Sequence, residues 1–289
     1  MFASVLAGFD ASDQARDALA LARALTDPDG QLAVCCVYPP DPPLVEPIPP
    51  SQSTRAEAES RLEAAREALG DDPRTVYVTR RNRSTADGLQ TEAEERGSDL
   101  IVVGSSHRGM IGRVLPGSVT RQVLQAAPCA VAVAPRGLHL TGIERPRAIG
   151  LAYDGSEQSQ VALALAGRLA RRSGATITVI AVVDVVAEMG GWAAAWSYGE
   201  LQEAERQSAK AWVDEAVGAL TDVTATGVVR EGGAAEELIL ATEELDLLVV
   251  GSRNYGPLRR ALLGTVSGRV CEHAHCPVLV VPRGQRDAG

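Results

Sequence analysis

Apolar residues along this chain gather in short, nearly unbroken runs, separated by longer segments in which they recur at helical spacing. "SVLAGFD" and "RAIGLAYD" are two such runs, ending in Asp10 and Asp154. After the first, Ala15, Ala18, Leu19, Ala22 and Leu25 mark one face of a helix; after the second, Val161, Leu165 and Leu169 do. Ser12 and Ser156 stand where these helices start and are candidate caps. "LAVCCVY" and "TITVIAVVDV" follow as second strands, then helical "STRAEAESRLEAAREAL" and "ELQEAERQSAKAWVDEAVGAL". "TVYVT" and "TATGVV" come next, then a short helical pattern, then "DLIVVGS" and "DLLVVGS", one more helix, and the closing runs "CAVAVAP" and "CPVLVVP". Unbroken Val, Ile and Leu, without polar alternation, predict strands covered on both faces. Strands alternating with helices in this way predict a doubly wound parallel sheet.

The pattern occurs twice. "GFDAS" matches "AYDGS" at an offset of 144, while Gly104, Gly117 and Cys129 match Gly251, Gly264 and Cys276 at 147. The expectation is a tandem duplication, residues 1–140 and 141–289, with a Pro- and Gly-punctuated boundary around residues 135–147. Parallel sheets bind ligands at strand C-terminal ends, where the topology reverses. Asp10, Asp154 and the stretches "GSSHRGMIGRVLPGS" (104–118) and "GSRNYGPLRRALLGT" (251–265) all sit there.

Glycine at the end of a strand, Gly104 or Gly251, allows a tight turn and close approach of a ligand. Gly117-Ser118 and Gly264-Thr265 precede helices, where free N–H groups and the helix dipole favour an anion. Alternatively these are ordinary strand-to-helix turns with a hydroxyl cap. A Walker loop does not fit: Gly104 and Gly109 have its spacing, but the Lys-Ser/Thr pair is missing. No G-x-G-x-x-G opens either half.

Composition narrows the classes further. The net charge of -9, without a basic stripe or tail, argues against nucleic-acid or anionic-membrane partners. The N-terminus has no signal-peptide pattern and no run reaches membrane-spanning length, so a cytoplasmic protein is expected. Five cysteines, mostly within apolar runs, predict buried, reduced thiols. "CEHAHC" (271–276) has metal-like residues, but no second ligand pair at zinc spacing exists, and a helix end with dipole-matched histidines is the preferred reading; no metal site is expected. The Pro-rich stretch 38–53 and "VAEMGGWAAAWSYGE" (186–200) read as connections packed on their domains; alternatively Trp192, Trp196 and Tyr198 of the second cover a ligand or dock a partner, while proline stiffens the first and limits its use as a lid. No nucleophile, base or supporting acid forms a catalytic set, so no enzyme is expected.

The Asp ending strand one, the "DLIVVGS"/"DLLVVGS" runs, the spacing G-x2-G-x9-G-S/T and the "CPVLVVP" closure together resemble the universal stress protein family, twice over nearly the whole chain. The resemblance implies an α/β fold of two tandem five-stranded parallel-sheet sandwiches, Rossmann-like and similar to adenine nucleotide alpha hydrolases. It implies ATP, with magnesium as an accompanying ion, and a role in stress regulation. Asp10 and Asp154 would contact the ribose or adenine side, and Val37 and Val182 would offer backbone groups to adenine. Gly104, Gly117, Ser118 and Val119, with Gly251, Gly264, Thr265 and Val266, would hold ribose and phosphates. The motif's second glycine is replaced by His107 in one half and by Asn254, beside Arg253, in the other. Asn tolerates a positive φ better than His, which favours the second half for binding. The resemblance also implies strand-five pairing, here as an intramolecular pseudo-dimer, and allows a homodimer. The alternative is an interaction protein of the same fold whose crevices no longer bind nucleotide.

Overall fold

The computed structural model describes residues 1–40, 55–70, 72–106, 111–142, 145–184, 192–252 and 264–282, with 192–201 described in backbone only. The first half runs β1 (Phe2–Gly8), α1 (Asp13–Leu25), β2 (Thr26–Tyr38), α2 (Arg55–Leu69), β3 (Thr75–Arg81), α3 (Thr85–Arg96), β4 (Leu100–Gly104), α4 (Ser118–Ala126) and β5 (Ala130–Ala134). A four-residue helix, α5 (Leu138–Thr141), leads into the second half. There the order repeats: β6 (Ala148–Ala152), α6 (Glu157–Ser173), β7 (Thr176–Val183), α7 (Trp192–Ala219), β8 (Ala225–Glu231), α8 (Ala234–Ala241), β9 (Leu247–Gly251), α9 (Thr265–His273) and β10 (Val278–Val281).

The protein is thus α/β, and its strands join in one sheet ordered β3-β2-β1-β4-β5-β10-β9-β6-β7-β8. Pairing is parallel within each half. At the centre β5 and β10 pair antiparallel, with Leu279 opposite Ala132. Each half reverses direction between β1 and β4, or β6 and β9, which opens a crevice at their C-terminal ends.

Burial follows the pleat. Val5, Ala7, Leu100 and Val102 pack on one face with α1, α2, α6 and α7, while Leu6, Ile101 and Val103 pack on the other with α3, α4, α8 and α9. All five positions of the predicted α1 stripe are buried. Ser12 and Ser156 cap their helices, accepting from the Ala15 and Ser159 amides. The five cysteines are free and buried.

Two elements differ from the pattern-based expectation. β2 begins at Thr26, not at Leu32, because Thr26 pairs with Phe2 and the register then shifts before Ser4 meets Gln31. Gly30 lets this excursion close: a Cβ there would lie 2.9 Å from the Phe2 and Ala3 carbonyl oxygens. Helix α7 begins at Trp192, so residues 192–200 extend the helix rather than forming a connection. Ala193–Ala195 favour that extension through their high helix propensity. Among the described residues no helix is long and apolar enough to cross a membrane.

Candidate functional site

Both halves build the strand-end turn the same way. Phe9 N–H donates to the Cys35 carbonyl and Tyr153 N–H to the Ile180 carbonyl, carrying the chain past β1 and β6. The next residues, Asp10 and Asp154, then fold back on themselves. Oδ1 of Asp10 accepts from Ser12 N (3.0 Å) and Ser12 Oγ (2.5 Å); Oδ1 of Asp154 accepts from Ser156 N (3.1 Å) and Ser156 Oγ (2.5 Å). Each serine hydroxyl therefore links the carboxylate to the first turn of the helix that follows. The residue between them has a positive φ: Ala11 at 67° and Gly155 at 71°. Ala11 is the one non-glycine residue with positive φ among the described residues, a strained position beside a candidate site.

Val37 and Val182 lie two residues beyond the carbonyls that accept from Phe9 and Tyr153. Groups on a strand repeat their direction every second residue. The peptide groups of Val37 and Val182 therefore face the β1 and β6 side past the ends of those strands, into the crevices. On the opposite side Tyr38 and Val183 carbonyls are taken by Asn82 and Gly232 amides.

Gly117 and Gly264 are the N-caps of α4 and α9, in extended conformation and with no side-chain cap bond. Ser118 and Thr265 are the first helical residues and do not cap, contrary to one of the sequence readings. Among the described residues no side chain accepts from the amides of these first turns, with Val119 and Val266. Gly117 lies against the loop after β4, where a Cβ would come within 3.9 Å of Ser106. Thr120 Oγ1 donates to the Gly104 carbonyl (2.8 Å), tying the start of α4 to the end of β4.

Gly104 and Gly251 have another role besides any approach to a ligand. A Cβ on Gly104 would lie 2.1 Å from the Gln14 carbonyl oxygen, and one on Gly251 3.1 Å from that of Gln158. The missing side chain lets the first turn of α1, or of α6, rest on the strand end.

In the second half these parts enclose a cavity of about 190 Å³, lined in part by Asp154, Val182, Gly251, Gly264 and Val266. Tyr153 and Leu238 also line it, and the sequence reading had not singled them out. Burial, then Glu215 and Asp154, raise the Tyr153 pKa, so it remains a neutral phenol at physiological pH. In the first half Cys36 is buried, and its thiol is pushed up by that burial, opposed by Arg61. Ser105 was also missed as a positioning group: its Oγ donates to the Ala134 carbonyl and accepts from Leu115 N–H. Its repetition as Ser252 at the 147 offset was the available signal.

His107, Arg253 and Asn254 lie outside the described residues, as does most of the Pro-rich stretch 38–53. The "CEHAHC" residues disperse. Cys271 and Cys276 are buried, and His275 N–H donates to Thr242 Oγ1 (2.9 Å). Among the described residues no metal-binding cluster forms.

The universal stress protein family model matches residues 1–135 and again 146–282. The chain belongs to the universal stress protein family. Universal stress protein Rv2005c of Mycobacterium tuberculosis is 32% identical over 249 residues, 83% of this chain and 81% of that protein. The crystal structure of a universal stress protein from Archaeoglobus fulgidus DSM 4304 covers 97% of this chain and 98% of its own, at 19% identity and a TM-score of 0.62. A universal stress protein in complex with cAMP matches 47% of this chain at 21% identity, with a TM-score of 0.33.

Proposed function

We propose that this tandem universal stress protein binds ATP at its strand ends and acts as a cytoplasmic stress-response regulator rather than an enzyme. One observation carries the reading: the second-half crevice gathers Asp154, Val182, Gly251, Gly264 and Val266 from four separate segments around one cavity. In this reading the Val182 peptide groups meet the adenine edge and Asp154 accepts from a ribose hydroxyl. The uncapped first turn of α9 receives the phosphates, since aligned amides and the helix dipole favour an anion. Magnesium would accompany the phosphates. The first half offers the same parts, and Oδ2 of Asp10 has no donor among the described residues. The antiparallel β5–β10 seam then supports the two halves acting as an intramolecular pair.

Calorimetric titration with ATP and magnesium tests this. Saturable heat is expected, and Gly264→Glu, which sets a carboxylate at the phosphate position, should remove the second-half component. No heat at millimolar ATP would refute it. A second reading, an interaction protein without nucleotide, draws on the cavity's size: about 190 Å³ falls below the roughly 300 Å³ of ordinary small-molecule sites. Unchanged ATP binding by Gly264→Glu and Gly117→Glu chains would refute the crevice assignment itself.

A further inference from the structure

A larger cavity, about 1090 Å³, lies at the opposite end of the sheet, beside the N-terminal ends of β2 and β3. Its long wall is one face of α1. Arg16, Leu19, Ala20, Arg23 and Ala24 line it, at the i, i+3, i+4, i+7, i+8 spacing of a single helical stripe. Arg74 lines it too, as do Arg145 and Arg147 from the segment joining the two halves. Five arginines thus line a space that also takes in two carboxylates, Asp27 and Asp72, in a chain whose net charge is -9.

The carboxylates are already engaged. Asp72 pairs with Arg74 (2.8 Å), and Asp27 with Arg172 (3.2 Å) and the terminal ammonium (3.8 Å). Arg16 pairs with Asp13. Arg23 and Arg145 have no ion pair among the described residues. The start of the joining segment is tied to α1. Asp17, fully buried on α1, accepts from Gly137 N (2.8 Å), His139 N (2.9 Å) and His139 Nδ1 (2.5 Å). This anchors α5 to α1, and separately the Arg147 amide donates to Asp246 Oδ2 (2.8 Å) just before β9. The groove is not part of the repeat: α6 carries Gln160 and Gly167 where α1 has Arg16 and Arg23.

We propose that this groove is a binding site for an oligophosphate, separate from the strand-end crevices. Guanidinium forks match phosphate oxygens in paired hydrogen bonds. Arg16 and Arg23 are two turns apart, roughly 10 Å along the helix, so a single orthophosphate does not reach both. An extended chain of phosphates does, and it continues toward Arg145 and Arg147.

The full chain carrying Gly117→Glu and Gly264→Glu, with both crevices blocked, is titrated calorimetrically with inorganic tripolyphosphate. Saturable binding that weakens as salt rises is expected, with orthophosphate at least ten-fold weaker. Adding Arg23→Ala and Arg145→Ala should lower the affinity at least ten-fold, and Arg23→Lys with Arg145→Lys should restore part of it. Both arginines are exposed, so the fold should be unaffected, and the same pair of changes in the unmodified chain provides a second comparison. Competition by ATP in the blocked chain assigns the phosphates to a nucleotide; tripolyphosphate binding without it assigns them to an inorganic chain. No saturable heat with tripolyphosphate, equal affinity for orthophosphate, or undiminished affinity after the alanine changes would overturn the proposal.

Discussion

Replacing Gly104 with alanine should destabilise the protein far more than the same change at its repeat partner Gly251. Neither glycine has a positive φ, so alanine is conformationally allowed at both. Each change gains about 0.4–1 kcal/mol by restricting the unfolded chain. The steric terms differ. At Gly104 the new Cβ would lie 2.1 Å from the Gln14 carbonyl oxygen and 2.7 Å from its carbon, backbone against backbone, so helix α1 must shift. Overpacking of this kind costs about 1–3 kcal/mol and sometimes more, and so close a backbone contact belongs at the upper end. At Gly251 the nearest contact is 3.1 Å, relieved by a movement of a few tenths of an ångström. The net expectation is a loss of about 2 kcal/mol for Gly104→Ala and about 0.5 kcal/mol or less for Gly251→Ala. Urea unfolding followed by circular dichroism measures both through the midpoint at unchanged slope. Equal midpoints for the two variants, or a Gly104→Ala chain as stable as the parent, would refute the packing argument and return Gly104 to a role in ligand approach alone.

Ala11→Gly should be neutral to stabilising by about 0.5 kcal/mol, since relief of a left-handed alanine, about 1–2 kcal/mol, exceeds the added unfolded-state entropy. Gly155→Ala should lose about 1 kcal/mol or more, because its Cβ would also press within 3.0 Å of the Trp212 ring; thermal melts should show a fall for Gly155→Ala and none for Ala11→Gly. Burial pushes Cys35, Cys129, Cys271 and Cys276 from 9.0 up to about 12. At pH 8 the native chain should therefore resist a disulfide reagent that titrates five thiols in urea. The same shifts mean that the unfolded chain releases protons first, so stability should fall as pH rises from about 9 towards 12, a trend that midpoints measured across that range would check.

Helix starts, strand runs and the paired aspartates were legible because they depend on neighbours within a few residues. Ser12 and Ser156 cap where their spacing placed them, and the α1 stripe is buried as its period required. The 144 and 147 offsets made the duplication visible, and with it the paired strand-end loops. The candidate site was legible as a set of loops at strand ends, since a parallel sheet brings those ends to one side regardless of sequence detail. The hydroxyls of Ser118 and Thr265 were harder to place, because one residue of difference at a helix start separates a cap from a first-turn residue.

Other features came only from tertiary structure. Gly104 rests against Gln14, and Asp17 holds Gly137 and His139 across more than a hundred residues; no local pattern encodes such distances. The left-handed turn at Ala11 contradicts alanine's own preference, and the surrounding fold imposes it. The arginine groove joins α1 to the segment between the two halves, so its charge exists as a cluster only once both halves share one sheet. Periodicity and repeats are properties of the chain, and the sequence by itself determined the double β/α order and the location of its crevices. Which side chains meet across that framework depends on packing between segments far apart in the chain, and only the folded molecule decides it.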